Sequence, residues 1–514
     1  MKRLCILIVI AFIVLYSNNI GAQEIQQPLD AIKELVSENN GTIRDSYFAG
    51  ANSGILIHIQ DLHCNYDAQM SIYGIIDELI DKYNLKLVTI EGNMGKLVTD
   101  AFRRTDDMKI REQVAKYFVK LGDLDGAALA HIMRDGKFTF WGADDKDLYW
   151  KNVDAYKVSL KNKNTNASYY NNMNNILKQL KEKAYSKELK ELDEKMHSQK
   201  NDDAGFSEYV AYLNGLMNQY AIGKENYPNF TRLVEVLNKE SDIEFLEVDS
   251  QRAEYIDLLS ETLDKNNLSE LLDKSLYFKT GKLSALAFYS YLEHVSQKEN
   301  TPSLEDEYSQ LAKYIDYIKL YSQIDNIKLF KEIDGLEKAA KEKLYRNDTE
   351  RKIDRLSYTL EIMNDLFNLK LTKETLQYYR DNRNEFTTAA FINFISDTAP
   401  KYKVNYKLDP VFRRIDAELP DLEKFYKLAE ERDGVLVYNT LNKMRQQRAD
   451  LAVLVSGGFH TDGITQLLKD KKISYVVITP KVESLQADNP YKSVLLGEKN
   501  EFDRFYELAV KNAK

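Results

Sequence analysis

Cysteine is nearly absent. Of 514 residues only Cys5 and Cys64 are cysteines, and Cys5 lies in an apolar N-terminal run. If that run is removed, no intramolecular disulfide is possible, and a chain of this length can build its core without one. Proline is also scarce: between Lys151 and Pro400 only Pro228 and Pro302 interrupt the chain. An excess of basic charge is missing too. Lys and Arg total 71 against 80 Asp and Glu, a formal net charge of -9, with no concentrated basic run to follow a phosphate backbone. Nucleic-acid binding is therefore disfavoured. Long apolar runs are confined to Leu4 to Tyr16, too short for an easy membrane span and followed by no cysteine in a lipidation position. Lys2 and Arg3 precede this run and Gly21-Ala22 follow it, the pattern of a secretory signal peptide over residues 1–22, cleaved near Ala22. The expectation is an exported protein, periplasmic or extracellular, with no transmembrane span in the mature chain. With 44% hydrophobic and 29% charged residues, the remainder is globular in composition.

The segment GILIHIQDLHCNYDAQMSIYGIIDELIDKYNLKLVTIEG, residues 54–92, organises the rest. It reads as a strand ending at Asp61 and His63, a helix over Ile72, Ile75, Ile76, Leu79 and Ile80, and a strand ending at Glu91, which is a βαβ unit. Far downstream, LAVLVSGGFHTDGITQLLKDKKISYVVITP reads as a strand from Leu451 to Ser456, a Gly457-Gly458 turn carrying His460, a helix, and a strand from Ser474 to Thr479. Lys137 to Gly142 reads as another strand, ending in Asp144 and Asp145. A helical lead-in is expected over Gln26 to Glu38, a loop over Gly92 to Gly95, a helix over Lys96 to Leu121, and a closing helix from about Asn500. Between these halves leucine, tyrosine, lysine and glutamate recur at helical spacing. Met173, Leu177, Leu180, Ala184, Leu189, Leu192 and Met196 form one apolar stripe, read as a packing face, and a break is expected at Asn162 to Asn175. Pro400 to Pro420 reads as a connector and Asp421 to Arg448 as one long helix. The fold class is α/β, a mainly parallel sheet built from N- and C-terminal βαβ units and split by a long all-helical insertion. Its segments are residues 23–150, 151–415 and 416–514.

In a parallel sheet the carboxyl ends of the strands share one edge, beside helix N-termini. That edge would gather Asp61, His63, Glu91, Asp144, Asp145 and His460. Each has a plainer role open to it: Asp61 as a helix cap, His63 and His460 as capping or packing residues, Glu91 as a surface carboxylate, Asp144 and Asp145 as favourable helix starters. His58, inside its strand, reads as a core residue. His131, His197 and His294 receive no role. Cys64 follows His63, but neighbouring helical side chains do not face each other, so it reads as a small packed residue and not a nucleophile.

Four motifs together, QDLHCNYDAQ, TIEG, ERDGVLVYNTLNKM and LVSGGFHTDGI, resemble the Tiki, ChaN-like haem-binding and erythromycin-esterase superfamily. The likeness spans Gly54 to Asp145 and Leu422 to Pro480. Gly457-Gly458-Phe459-His460 matches the closing G-x-x-H motif, and Arg432 with Asp433 matches the R-D pair. Asp61 and Gln60 stand where the family has glutamate and glycine. The resemblance implies a hydrolase or a haem binder, since members include metal-dependent peptidases, macrolide esterases and haem-binding lipoproteins.

Three functional expectations follow. The first is an exported ester or peptide hydrolase acting on a small molecule or peptide, with His63, Glu91 and His460 central and Asp61, Arg432, Asp433 and Asp144 supporting. Those two histidines and Glu91 could hold a divalent transition metal, or a histidine could act as base without metal while Arg432 holds a substrate carboxylate or oxyanion. The second is a haem or small-molecule carrier with Tyr66 or Tyr438 as ligand. The third is an inactive relative working through protein contacts of the insertion.

Overall fold

The computed structural model describes residues 40–50, 53–201, 205–279, 283–297 and 303–482. The expected signal peptide, the lead-in at Gln26 to Glu38 and the helix from Asn500 lie outside these residues. The chain divides into two compact units. One comprises Met1–Asn171, Leu360–Ile392 and Leu408–Lys514; the other comprises Asn172–Thr359 and Asn393–Lys407.

The first unit carries a seven-stranded sheet: β1 (Gly41–Tyr47), β2 (Ile55–Asp61), β3 (Leu87–Ile90), β4 (Met94–Lys96), β5 (Thr139–Ala143), β6 (Leu451–Gly457) and β7 (Ser474–Pro480). Their order is β1-β7-β2-β6-β3-β5-β4. The five central strands are parallel, while β1 and β4 run antiparallel at the two edges. The α/β class and mainly parallel sheet match the sequence expectation. The edge strands do not: GTIRDSY carries charges, and Met94–Lys96 occupies part of the expected loop and helix. Lys96 to Leu121 contains a short 3-10 turn at Asp100–Arg103 and a helix only from Met108. β4 lies so close to β5 that a Cβ on Gly142 would collide with the Asn93 and Met94 backbone. Glycine there is a condition of the pairing.

Alternation along the strands builds two cores, as period-two side chains require. Ile57, Ile59, Val88, Ile90, Val453 and Val455 pack against α1 (Tyr66–Tyr83), through Ile72, Ile75, Ile76 and Leu79, and against α3 (Gly126–Met133), the helix after α2 (Met108–Leu121). Leu56, Leu87, Ala452, Leu454, Tyr475 and Val477 pack on the other face against Leu436, Val437 and Met444 of one long helix and Ile464 and Leu468 of another. Each valine, leucine, isoleucine or methionine among them contributes roughly 1.5–3 kcal/mol when fully buried. Asn65 caps α1 by accepting from Ala68 N, and Asn84 ends it in the left-handed conformation at φ 52°. The remaining helices of this unit used below are α4 (Lys146–Ser159), α5 (Lys373–Asp381), α6 (Leu419–Gln447) and α7 (Thr461–Asp470).

The second unit is helical among its described residues. One of its cores is rich in tyrosine: Tyr255 and Tyr308 have ring centroids 5.0 Å apart, and Tyr289 and Tyr314 meet edge-on at 5.1 Å. The apolar stripe from Met173 to Leu192 is buried, in keeping with a packing face. The expected break at Asn162 to Asn175 is absent, because Lys163–Ala184 is one continuous helix. The stripe anchored by Tyr169, Met173 and Leu177 overrides the weak helix preference of its asparagines. No described helix is long and apolar enough to cross a membrane.

Candidate functional site

The strand order β2-β6-β3-β5 puts four carboxyl ends side by side. Asp61 ends β2, Gly457 ends β6, Glu91 follows β3, and Asp144 follows β5. α6 crosses above with Arg432 and Asp433 buried, and the turn into α7 supplies His460.

Glu91 is the hub. Its Oε2 accepts from Gly457 N–H at 2.8 Å, its Oε1 accepts from Arg432 Nη2 at 2.8 Å, and His460 Nε2 lies 3.3 Å from the same oxygen. Burial works against the carboxylate, but His460 and Arg432 outweigh it and hold Glu91 well below the usual range. Arg432 also donates to Asp144 through Nη2 at 2.5 Å and Nε at 3.1 Å, and to Asn152 Oδ1 through Nη1 at 3.1 Å. Asp144 in turn accepts from Gly92 N–H at 2.9 Å, so it fixes the turn after Glu91. All three nitrogens of Arg432 are engaged and the residue is buried. The expected role of Arg432 as holder of a substrate carboxylate or oxyanion is corrected accordingly: it organises the site from within.

Two histidine–aspartate pairs flank this hub. His460 Nδ1 lies 2.6 Å from Asp433 Oδ1, whose other oxygen pairs with Lys373 on α5. His63 Nδ1 lies 2.5 Å from Asp61 Oδ2. Asp61 Oδ1 accepts from Gln69 Nε2 at 2.6 Å, and Gln69 Oε1 accepts from Gly126 N–H at 2.8 Å, which ties the pair to α1 and α3. Burial opposes the charged form of both rings. Asp61 and Glu91 overcome it at His63, Glu91 and Asp433 overcome it at His460, and each pKa rises to about 9. The cations His63, His460, Arg432 and Lys373 thus face the anions Asp61, Glu91, Asp144 and Asp433. His63 is the accessible member: its side chain is 32% exposed, against 5% for His460.

Two glycines make these approaches feasible. A Cβ at Gly457 would stand 3.2 Å from His63 Nε2, and one at Gly463 would collide with the Asp433 carboxylate and the Lys373 ammonium. The ring of Phe459, 5.8 Å from that of His460 and 5.6 Å from that of Tyr426, packs beside the buried pair.

The structure therefore gathers His63, Glu91, His460, Asp61, Arg432, Asp433 and Asp144. The cap at α1 belongs to Asn65 and not Asp61, while Asp145 is the cap of α4, accepting from Asp147 N and Leu148 N. His58 is a core residue, as read: its Nε2 is 3.1 Å from Thr461 Oγ1, and burial lowers its pKa to about 4. Cys64 sits in a left-handed turn at φ 58° before the helix, with burial pushing its thiol up to about 12, which removes thiolate chemistry.

The metal set His63, Glu91 and His460 is not assembled as such. Among the described residues no group of three or more His, Cys, Asp or Glu side chains is arranged to hold an ion. The donor chemistry gives the reason: both Glu91 oxygens accept hydrogen bonds, one from a guanidinium, and a divalent cation there would lie against Arg432. Tyr66 opens the helix after the carboxyl end of β2, whereas Tyr438 lines a groove with Gly54 before its amino end. They stand at opposite ends of one strand.

Sequence reasoning missed Gln69, Asn152 and Lys373. Gln69 carried a signal, since it shares the helical face of Ile72 and Ile76; Lys373 carried none. No family model matches the chain, and neither a curated protein nor a solved structure matches it.

Proposed function

We propose that this protein is an exported hydrolase of the Tiki and ChaN-like type that cleaves an ester or peptide bond without a metal, with His63 as the proton-transfer residue. The observation that carries this reading is the His63–Asp61 pair, the most exposed charged group of an otherwise buried rim. Asp61 engages Nδ1, so proton transfer runs through Nε2. Neutral His63 takes a proton from a water molecule as that water attacks the substrate carbonyl. The resulting imidazolium returns the proton to the departing alcohol or amine, so acid and alcohol or amine leave and His63 is restored. Glu91, held by Arg432 and His460, stabilises the charged ring. Gly457 and Gly458 leave room for the carbonyl to approach.

Because His63 titrates near 9, the neutral base is a small fraction at pH 7 and the rate should climb about tenfold per pH unit toward 9. The test is turnover of p-nitrophenyl esters and chromogenic peptides by the purified chain, with and without chelator. Expected is hydrolysis indifferent to chelator and reduced at least about 10²-fold in His63→Ala. Equal turnover by His63→Ala, or no turnover by the native chain across the panel, would overturn the proposal.

A further inference from the structure

The edge of the sheet away from the rim carries a feature that hydrolysis does not use. A cavity of about 450 Å³ opens where β3 and β5 begin and β4 ends, a size typical of small-ligand sites. Lys86 precedes β3, Lys137 precedes β5 and Lys96 closes β4, so three separate strand ends each bring an ammonium group to one cavity. Among the described residues none of the three ammonium groups makes a side-chain hydrogen bond or ion pair, although Lys137 lies close enough to Asp81 to favour its charged form. The fourth cation, Arg103, pairs through Nη2 with Asp100, the sole acidic residue of the lining, yet its Nε is buried with no hydrogen-bond partner.

Such an arrangement is unfavourable by itself. Like charges around one cavity repel, and a buried guanidinium N–H without an acceptor costs on the order of 1–3 kcal/mol. A ligand with one negative charge would leave most of this imbalance in place, whereas a phosphate monoester brings about −1.5 to −2 and three acceptor oxygens. The rest of the wall is mixed: Thr139, Gln447 and His131 are polar, while Phe138 is buried, Leu97 lies beside it and Val98 is exposed. His131 lies edge-on to Phe138 at 4.9 Å with Nδ1 on Thr99 Oγ1, extending the aromatic floor.

We propose that this cavity is a second site, which binds a small phosphate ester: the phosphate on Lys86, Lys96, Lys137 and the Arg103 guanidinium, the organic part against Phe138 and Leu97. The site is independent of the rim, so it stands whether or not the hydrolase reading does.

Calorimetric titration of the full chain with phenyl phosphate, in phosphate-free buffer of low salt, tests it. Expected is saturable one-site binding, weakened at least about tenfold in the Lys86→Gln/Lys96→Gln/Lys137→Gln variant and kept in the corresponding Lys→Arg variant. Binding should be unchanged in His63→Ala and tighter for phenyl phosphate than for inorganic phosphate. Thermal melting shows that the lysine variants, altered only at exposed side chains, keep the fold. No saturable binding, or a glutamine variant within about twofold of native, would overturn the proposal. Equal affinity for both phosphates would overturn the apolar subsite, and loss of binding in His63→Ala would overturn the separate location.

Discussion

His63–Asp61 and His460–Asp433 are the same chemical pair placed at the ends of neighbouring parallel strands, and both lean on Glu91. What differs is the third partner and the solvent. Asp61 is steadied by a neutral amide, Gln69, and leaves its ring a third exposed; Asp433 is steadied by the ammonium of Lys373, and its ring is buried beneath Phe459. A buried histidine–carboxylate–lysine chain fixes geometry, because breaking any link strands a charge in a medium of low polarity. A pair whose ring reaches solvent and whose carboxylate has a neutral anchor can exchange its proton with water. The lesson is that the motif does not assign the role; the second contact of the aspartate does.

Breaking the hub that the two pairs share should have the largest effect. Arg432→Met leaves Glu91 and Asp144 as buried carboxylates without their cation, and chemical denaturation should show a loss of about 3–5 kcal/mol. Next comes the buried pair: Asp433→Ala should cost about 1.5–3 kcal/mol, and Asp61→Asn less than that, while lowering hydrolysis sharply. If both substitutions destabilise equally, the contrast between the pairs fails.

The pH dependence of stability sharpens the same comparison. His63 and His460 have folded pKa values raised from 6.5 to about 9. The folded state therefore binds those protons more tightly than the unfolded state. Their contribution is complete below about pH 6.5 and is lost as pH rises through 9. His58 acts with the opposite sign: lowered to about 4, it destabilises the fold as pH falls below 6.5 toward 4. Thermal melting from pH 4 to pH 10 should fall away on both sides, with the alkaline limb reduced in His460→Gln.

The smallest effect concerns Gly434, exposed on α6 next to Arg432 and Asp433 and with open space around a Cβ. Gly434→Ala should raise stability by about 0.5–1 kcal/mol and leave hydrolysis alone.

Much of this site was legible in the amino-acid sequence because parallel strands declare their ends. LVTI before Glu91 and LAVLV before the glycine turn are apolar runs that stop at polar residues, and five such strands made one shared rim a consequence of topology. The edge strands were not legible: GTIRDSY looks like surface because one side of it is, and Met94–Lys96 is only three residues long. Nor was Lys373, since its partner Asp433 is sixty residues away and nothing local marks one lysine among many. Asp61 and Arg432 lie at the rim, yet their contacts could not be read: whether Arg432 met a substrate or three internal acceptors depended on α4 bringing Asn152 beside α6.

The most direct test of the contrast is one experiment with two readouts, in which His63→Gln and His460→Gln are compared for ester or peptide turnover and for unfolding midpoint in the same buffer. We expect His63→Gln to lose turnover at least about 10²-fold with a smaller fall of midpoint than His460→Gln, whose ring is the more deeply buried. Native turnover in His63→Gln, or an equal fall of midpoint in both, would contradict the assignment of proton transfer to the exposed pair and architecture to the buried one.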